Sequence, residues 1–341
     1  NDTVVYSGSQ SLTVRGNNPV SNRVIRGPAA CDLFRSTNGA DLTFERVTLQ
    51  ESFCNGIEVL GGNGFGEIVV TLTRATLRDN DSSGVRMTEN DPTDASFTLN
   101  VALSRLDGNG LNGAEILEWG DSGDVRATIT GSSFDDNGYA GLVIDETYGG
   151  ILTLQVTGSS FNGSSRGMRI TETGTGDLDA TLKGVQANDS WDEYGVQLTE
   201  SDEGSILVNA TSVETSRNEQ AGFRVEEGGE GSVTASLLWM QANDNDIAGV
   251  LLFEFELGDV EVSLASSGAR GNEIGFSFQE LGEGDLATTA FGSNASENEL
   301  GFSLGERDAG AFDARFLVTT SLFNEDGVEA SAEGDPGTLD R

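Results

Sequence analysis

Histidine is absent from the 341 residues, and Lys183 is the one lysine. Imidazole is therefore unavailable as a general base or a metal ligand. Lys and Arg together number 19 against 56 Asp and Glu, a net charge of −37. So few cations cannot neutralise a phosphate backbone or an anionic lipid surface, which argues against nucleic acid and charged membrane as partners. No apolar run approaches the length of a membrane span. Cysteine is scarce: Cys31 and Cys54 suit one disulfide in an oxidising compartment, or two buried thiols. The chain opens on Asn1 rather than Met, which fits removal of a secretion signal and fits a trimmed chain equally. Charge of this sign and size favours high solubility, cation binding or salty surroundings.

Glycine, in contrast, is abundant and evenly spaced. It recurs at Gly56, Gly84, Gly113, Gly141, Gly167, Gly195, Gly222, Gly249, Gly275, Gly301 and Gly327, with gaps of 26 to 29 residues. A period this steady indicates a solenoid before any other fold. One and three residues after each glycine the chain is apolar, as at Val85 and Met87, Met168 and Ile170, or Phe276 and Phe278. The position between is mostly polar: Glu58, Arg86, Glu115, Arg169, Gln197 and Arg224, with Val143 and Leu251 as exceptions. This period-two alternation describes a strand with one face in and one face out. A second alternating strand follows, as in Val125–Ile129 and Leu178–Leu182, and a shorter third carries the GSSF of Gly131 and of Gly158. Asn80, Asn109, Asn137, Asn218, Asn245, Asn298 and Asn324 precede the glycines and mark a corner, because Asn tolerates left-handed backbone and bonds locally.

The rhythm of Ser133 to Ile144 (SFDDNGYAGLVI) resembles the repeat of the right-handed parallel β-helix superfamily, the pectate-lyase-like proteins. That resemblance covers roughly residues 30 to 341. It implies an all-β, single-domain solenoid of about 11 to 12 coils of ~27 residues, three strands to a coil. Residues 1–30 are expected to form a first coil, 31–330 the β-helix and 331–341 a polar tail. Activity does not follow from this fold, which hosts lyases, hydrolases, epimerases and inert scaffolds. The Gly-His-Gly element of polygalacturonase-like hydrolases and the His-bearing element of alginate epimerases are excluded in a chain without histidine. The outward arginines Arg86, Arg169 and Arg224 are separated by other residue types, so they make no continuous basic groove for a uronate polymer.

Five residues after the landmark glycine stands a glutamate: Glu89, Glu118, Glu146, Glu172, Glu200, Glu227, Glu254, Glu280 and Glu306. Stacked coils place such residues in a column. Neighbouring charges ~4.8 Å apart repel by roughly 0.9 kcal/mol even in water. The repulsion must be offset by turn amides, by protonation or by cations. A second column, Asp94, Asp177, Ser205, Ser232, Asp259 and Asp285, follows across a glycine-rich acidic turn. Hard oxygens of this kind suit Ca2+, with Glu172, Asp177, Glu200, Glu227, Glu254, Asp259, Glu280 and Asp285 as candidate ligands. The calcium nonapeptide of β-rolls is absent.

Trp119, Tyr139, Tyr148, Trp191 and Tyr194 fall in or near turns, where exposed rings can stack on sugars or simply pack a corner. Cys31 and Cys54 fall on adjacent coils near one corner, where a disulfide would pin the first coil. Neither end shows a capping helix, and Phe312, Phe316 and Phe323 keep the last coil apolar, so end-to-end self-association is expected. The sequence is best read as a secreted or cell-surface, non-enzymatic β-helix that serves a surface, matrix or filament structure, with Ca2+ on its turns. The alternative is a carbohydrate-active β-helix that binds or cleaves a polysaccharide.

Overall fold

The structure, a computed structural model, describes residues 4–7, 10–16, 23–27, 31–37, 39–61, 66–89, 95–120, 122–307, 310–317, 319–322, 324, 326–332 and 335–340. Asp94 and Phe323 lie outside them. The described residues contain strands and no helix. Every strand pairing is parallel and joins equivalent positions of successive coils, so the chain is a parallel β-helix of the right-handed type. It clusters into two compact units, Asn1–Thr171 and Glu172–Arg341, built on the same coil.

In the first unit one sheet takes Val4–Tyr6, Phe34–Ser36, Ile57–Gly61, Val85–Glu89, Asn112–Leu117 and Ala140–Tyr148 in that order. The second sheet takes Leu12–Arg15, Leu42–Glu45, Ile68–Thr73, Phe97–Ala102, Val125–Thr130 and Leu152–Thr157. The third begins with Arg23–Arg26, Val47–Gln50 and Thr76–Arg78 and continues as single bridges through Arg105, Ser133 and Ser160. In the second unit the first sheet runs from Val196–Asp202 through Ala221–Glu227, Ala248–Glu254, Ile274–Glu280 and Leu300–Glu306 to Asp326–Ala332. Its second sheet runs from Leu178–Lys183 to Asp335–Asp340, so the segment expected to be a polar tail carries a further strand.

The register is the one the apolar columns require. Val85 pairs with Ile57 and with Ala114, and Val250 pairs with Phe223 and with Phe276. These side chains point inward and are fully buried, as is Val225, while Arg224 points outward. The landmark glycines are demanded by space. A Cβ at Gly113 would sit 2.6 Å from the Gly141 carbonyl oxygen and 2.9 Å from Phe134 Cδ1. The left-handed turns fall elsewhere, after the second sheet (Leu103, φ 52°, and Gly131, φ 56°) and after the third (Asp136, φ 57°).

Buried polar side chains close the corners by bonding from coil to coil. Asn80, Asn109 and Asn137 form one such column and Asn218, Asn245, Asn272, Asn298 and Asn324 another. The side-chain oxygen of each accepts from the backbone and side-chain amides of the preceding member. Asn272 is a member that the sequence column did not include. Serines build a parallel device, Ser104 to Ser132 to Ser159, each hydroxyl accepting a backbone N–H from the preceding coil and donating to a carbonyl two residues back. Such buried donors and acceptors are costly unless matched, and stacking identical residues matches each with the next.

Candidate functional site

The glutamate column lines the corner between the first and second sheets. All nine glutamates are at most 2% exposed. The alternation puts them inward, and the turn that follows wraps over them. One carboxylate oxygen accepts amides of the turn: in Glu118 from Gly120 at 2.8 Å, in Glu227 from Gly229 at 2.8 Å and Gly231 at 3.3 Å, and in Glu280 from Gly282 at 2.6 Å. The amide of Glu256 serves Glu254, and that of Gly310 serves Glu306. The turn glycines stack as tightly as the glutamates. A Cβ on Gly231 would lie 1.5 Å from the Gly204 carbonyl oxygen, which is why the acidic turn keeps glycine there.

The second oxygens face along the column. Taken as carboxylates, Glu118, Glu200, Glu227, Glu254, Glu280 and Glu306 have Oε2 buried without a donor among the described residues. A proton between successive members turns the facing oxygens into a donor and an acceptor and removes the deficit. The titration of the column agrees. Burial, reinforced by sharing with the neighbouring glutamate, pushes Glu118 up to about 9 and Glu227 and Glu280 up to about 8. Burial raises Glu254 to about 7 against the opposing Glu256 amide, and it raises Glu200 as well. A single column brings carboxylates together in twos. Among the described residues, the one group of three Cys, His, Asp or Glu within reach of a common ion is Cys31, Asp32 and Cys54. There the two cysteines are joined as a disulfide across a separation of 23 residues, Cα to Cα 4.7 Å.

The Asp and Ser column lies at the rim of the same turn. Asp177, Asp259 and Asp285 are exposed, and each accepts the backbone N–H of the equivalent residue one coil on, at 3.0, 2.9 and 2.7 Å. Ser205 and Ser232 do the same.

On the outer face of the first sheet the charges are paired. In the first unit Arg35 meets Glu58 at 2.9 Å, Arg86 meets Glu115 at 3.1 Å, and Arg169 meets Asp145. In the second, Arg224 meets Glu226. Of the candidate sugar-stacking rings, Trp119, Tyr148 and Trp191 are exposed, whereas Tyr139 lies under the Arg166 guanidinium at 4.7 Å and Tyr194 under Arg224 at 4.9 Å. Trp119, Tyr139 and Tyr148 belong to the first unit, and Trp191 and Tyr194 to the second. A different aromatic group was missed: Phe253 and Phe255, whose rings stack 5.9 Å apart beside Leu251. The signal was present in the sequence, since Leu251 interrupts the otherwise polar outward column.

No protein-family model matches the chain. No curated protein matches it. Among solved structures, the A-module of mannuronan C-5 epimerase AlgE6 from Azotobacter vinelandii superposes over 96% of this chain and 84% of its own length, with 14% identity and a TM-score of 0.37. No functional statement follows from a likeness of that size.

Proposed function

We propose that the chain is a secreted, non-enzymatic structural β-helix that serves an extracellular surface or matrix. The observation that carries this reading is the engagement of its acids. The buried glutamates bond turn amides, the rim aspartates cap the next coil, and the outward arginines are paired with carboxylates. A carboxyl sealed from solvent cannot come within hydrogen-bond reach of a substrate, whatever its pKa, and a charge-paired side chain is not free to act as a nucleophile. Ca2+ is assigned to the rim rather than to the buried column: Asp177, Asp259 and Asp285 each retain an oxygen facing solvent, and carbonyls of the glycine-rich turn would complete the hard-oxygen set. Association through strand edges belongs to the same reading. Val4–Tyr6 and Leu12–Arg15 each pair with one described neighbour, Phe34–Ser36 and Leu42–Glu45. Of the phenylalanines considered for such a contact, Phe312 is already buried and Phe316 packs edge-on to Phe302 at 5.1 Å.

The deciding experiment is prolonged incubation of the folded protein with polyuronates and neutral polysaccharides, followed by chromatography of the products. No release of oligosaccharides or of epimerised residues is expected. Products that form with native protein and not with heat-denatured protein would overturn the non-enzymatic reading in favour of a carbohydrate-active one.

A further inference from the structure

The outer face of the first sheet changes character within the second unit. On the coil of Ala248–Glu254 the outward residues are Leu251 and Phe253; the strand ends at the buried Glu254, and Phe255 and Leu257 follow in the turn. Phe253 packs against Leu251, and the Phe255 ring stacks on that of Phe253 just beyond the strand end. Leu251 is covered by its neighbours, but Phe255 is 42% and Leu257 48% exposed. Tyr194 and Ile274 pack against the same cluster.

The coils on either side are polar at the matching positions. Leu251 is in register with Arg224 on one side and Ser277 on the other, and Phe253 with Glu226 and Gln279. Arg224 and Glu226 neutralise each other, and Arg224 also bonds the Tyr194 hydroxyl. Gln279 donates to Ser277 at 3.3 Å and to Ser303 at 3.1 Å, occupying the space above Gly305, where a Cβ would come within 2.0 Å of its Oε1. On the strand, an apolar pair one residue wide, bordered at ~4.8 Å on both sides by amide, hydroxyl and ion-paired groups, matches a sugar ring, with the exposed Phe255 ring extending it past the strand end. The C–H face of the ring covers phenyl carbon, and its equatorial hydroxyls reach the bordering polar groups.

We propose that this face is a binding platform for an uncharged glycan, with Phe253 and Phe255 as the stacking residues and Gln279, Ser277, Arg224 and Glu226 as the hydroxyl partners. Charge selects that occupant over the others. The exposed acids Glu230, Glu256 and Glu283 rim the turn end of the face and repel a uronate or sulfated chain. A second copy would bring another −37 and the same acidic rim against it. The proposal rests on the non-enzymatic reading in one respect only, that the platform holds the glycan without cleaving it.

The test is calorimetric titration with hexasaccharides of β-1,4-linked glucose, mannose, xylose and N-acetylglucosamine, with hexagalacturonate as the charged control. At least one neutral hexasaccharide should bind. Phe255→Ala and Phe253→Ala should each weaken it about tenfold, a change of about 1.4 kcal/mol. Trp239→Ala, which removes an exposed ring from a different corner, should leave the affinity unchanged. Thermal melts of Phe255→Ala should match the parent, because its ring is largely in solvent. Failure of all four neutral sugars to bind, or full affinity in Phe255→Ala, overturns the platform and leaves the scaffold reading untouched. A dimer in sedimentation that Phe255→Ala abolishes gives the face to a second copy and likewise overturns it. Turnover of a bound sugar would sink the scaffold reading while the platform stood.

Discussion

The glutamate column makes a quantitative prediction about stability against pH. Glu227 and Glu280 keep a proton up to about 8 in the folded chain, whereas an unfolded glutamate loses it near 4.5. Between those values the folded state holds more protons than the unfolded one. Stability therefore falls as pH rises: each retained proton costs about 1.4 kcal/mol per pH unit. Two shared protons at pH 7 give a slope of about 3 kcal/mol per pH unit, and a third at Glu118 steepens it to about 4. The column's contribution is thus fully present below the unfolded pKa and gone once pH has passed the folded one. The window is unusually clean because the chain has no histidine, so no imidazole can contribute between pH 6 and 8.5. Urea unfolding across that range measures the slope, and an indicator dye at pH 7 counts protons directly, about three released on unfolding. Glu227→Gln keeps an oxygen for the Gly229 and Gly231 amides and gives its neighbours a fixed donor. The slope should drop by about 1.4 kcal/mol per pH unit, with stability at pH 8.5 raised rather than lowered. A flat profile from pH 6 to 8.5, or an unchanged slope in Glu227→Gln, would refute the shared-proton column.

Other perturbations have definite outcomes. Reducing Cys31–Cys54, which spans 23 residues, should cost about 3 kcal/mol in the chain-entropy account, read from urea melts with and without reductant. Asn245→Ala strands the buried amides of Asn218 and Asn272's acceptor, and should destabilise by about 2 to 4 kcal/mol in the same assay. Gly231→Ala puts a methyl into the Gly204 carbonyl and should lower the melting temperature sharply or prevent folding, as circular dichroism would show. Adding Ca2+ to chelator-treated protein should raise the melting temperature, and Asp259→Asn should blunt the rise; no shift would remove the rim as a cation site.

The repeat, the inward and outward columns, the absent histidine and the positions of the acidic turns were all legible in the sequence, because a β-helix stacks like on like and a fixed period writes the contacts of one coil into the next. Glu227 could be placed at a corner on those grounds, and Val225 in the core. What lay beyond reach was the environment between coils. Whether a stacked glutamate is splayed into solvent or sealed depends on a turn folding over it. In the structure the Gly229 and Gly231 amides do this, and the second oxygen of Glu227 is left buried without a donor among the described residues. Asn272 joins its column because its neighbours Asn245 and Asn298 lie in register with it, although its own coil read differently. The sequence reading did not single out Phe253 and Phe255; only the register brings Arg224, Glu226, Ser277 and Gln279, each a full coil away in the chain, alongside Leu251 and Phe253. One-dimensional periodicity determines which residues share a face. Only the packed solenoid determines how much water they keep, and that decides whether a carboxylate is charged and whether a ring is a core residue or a surface.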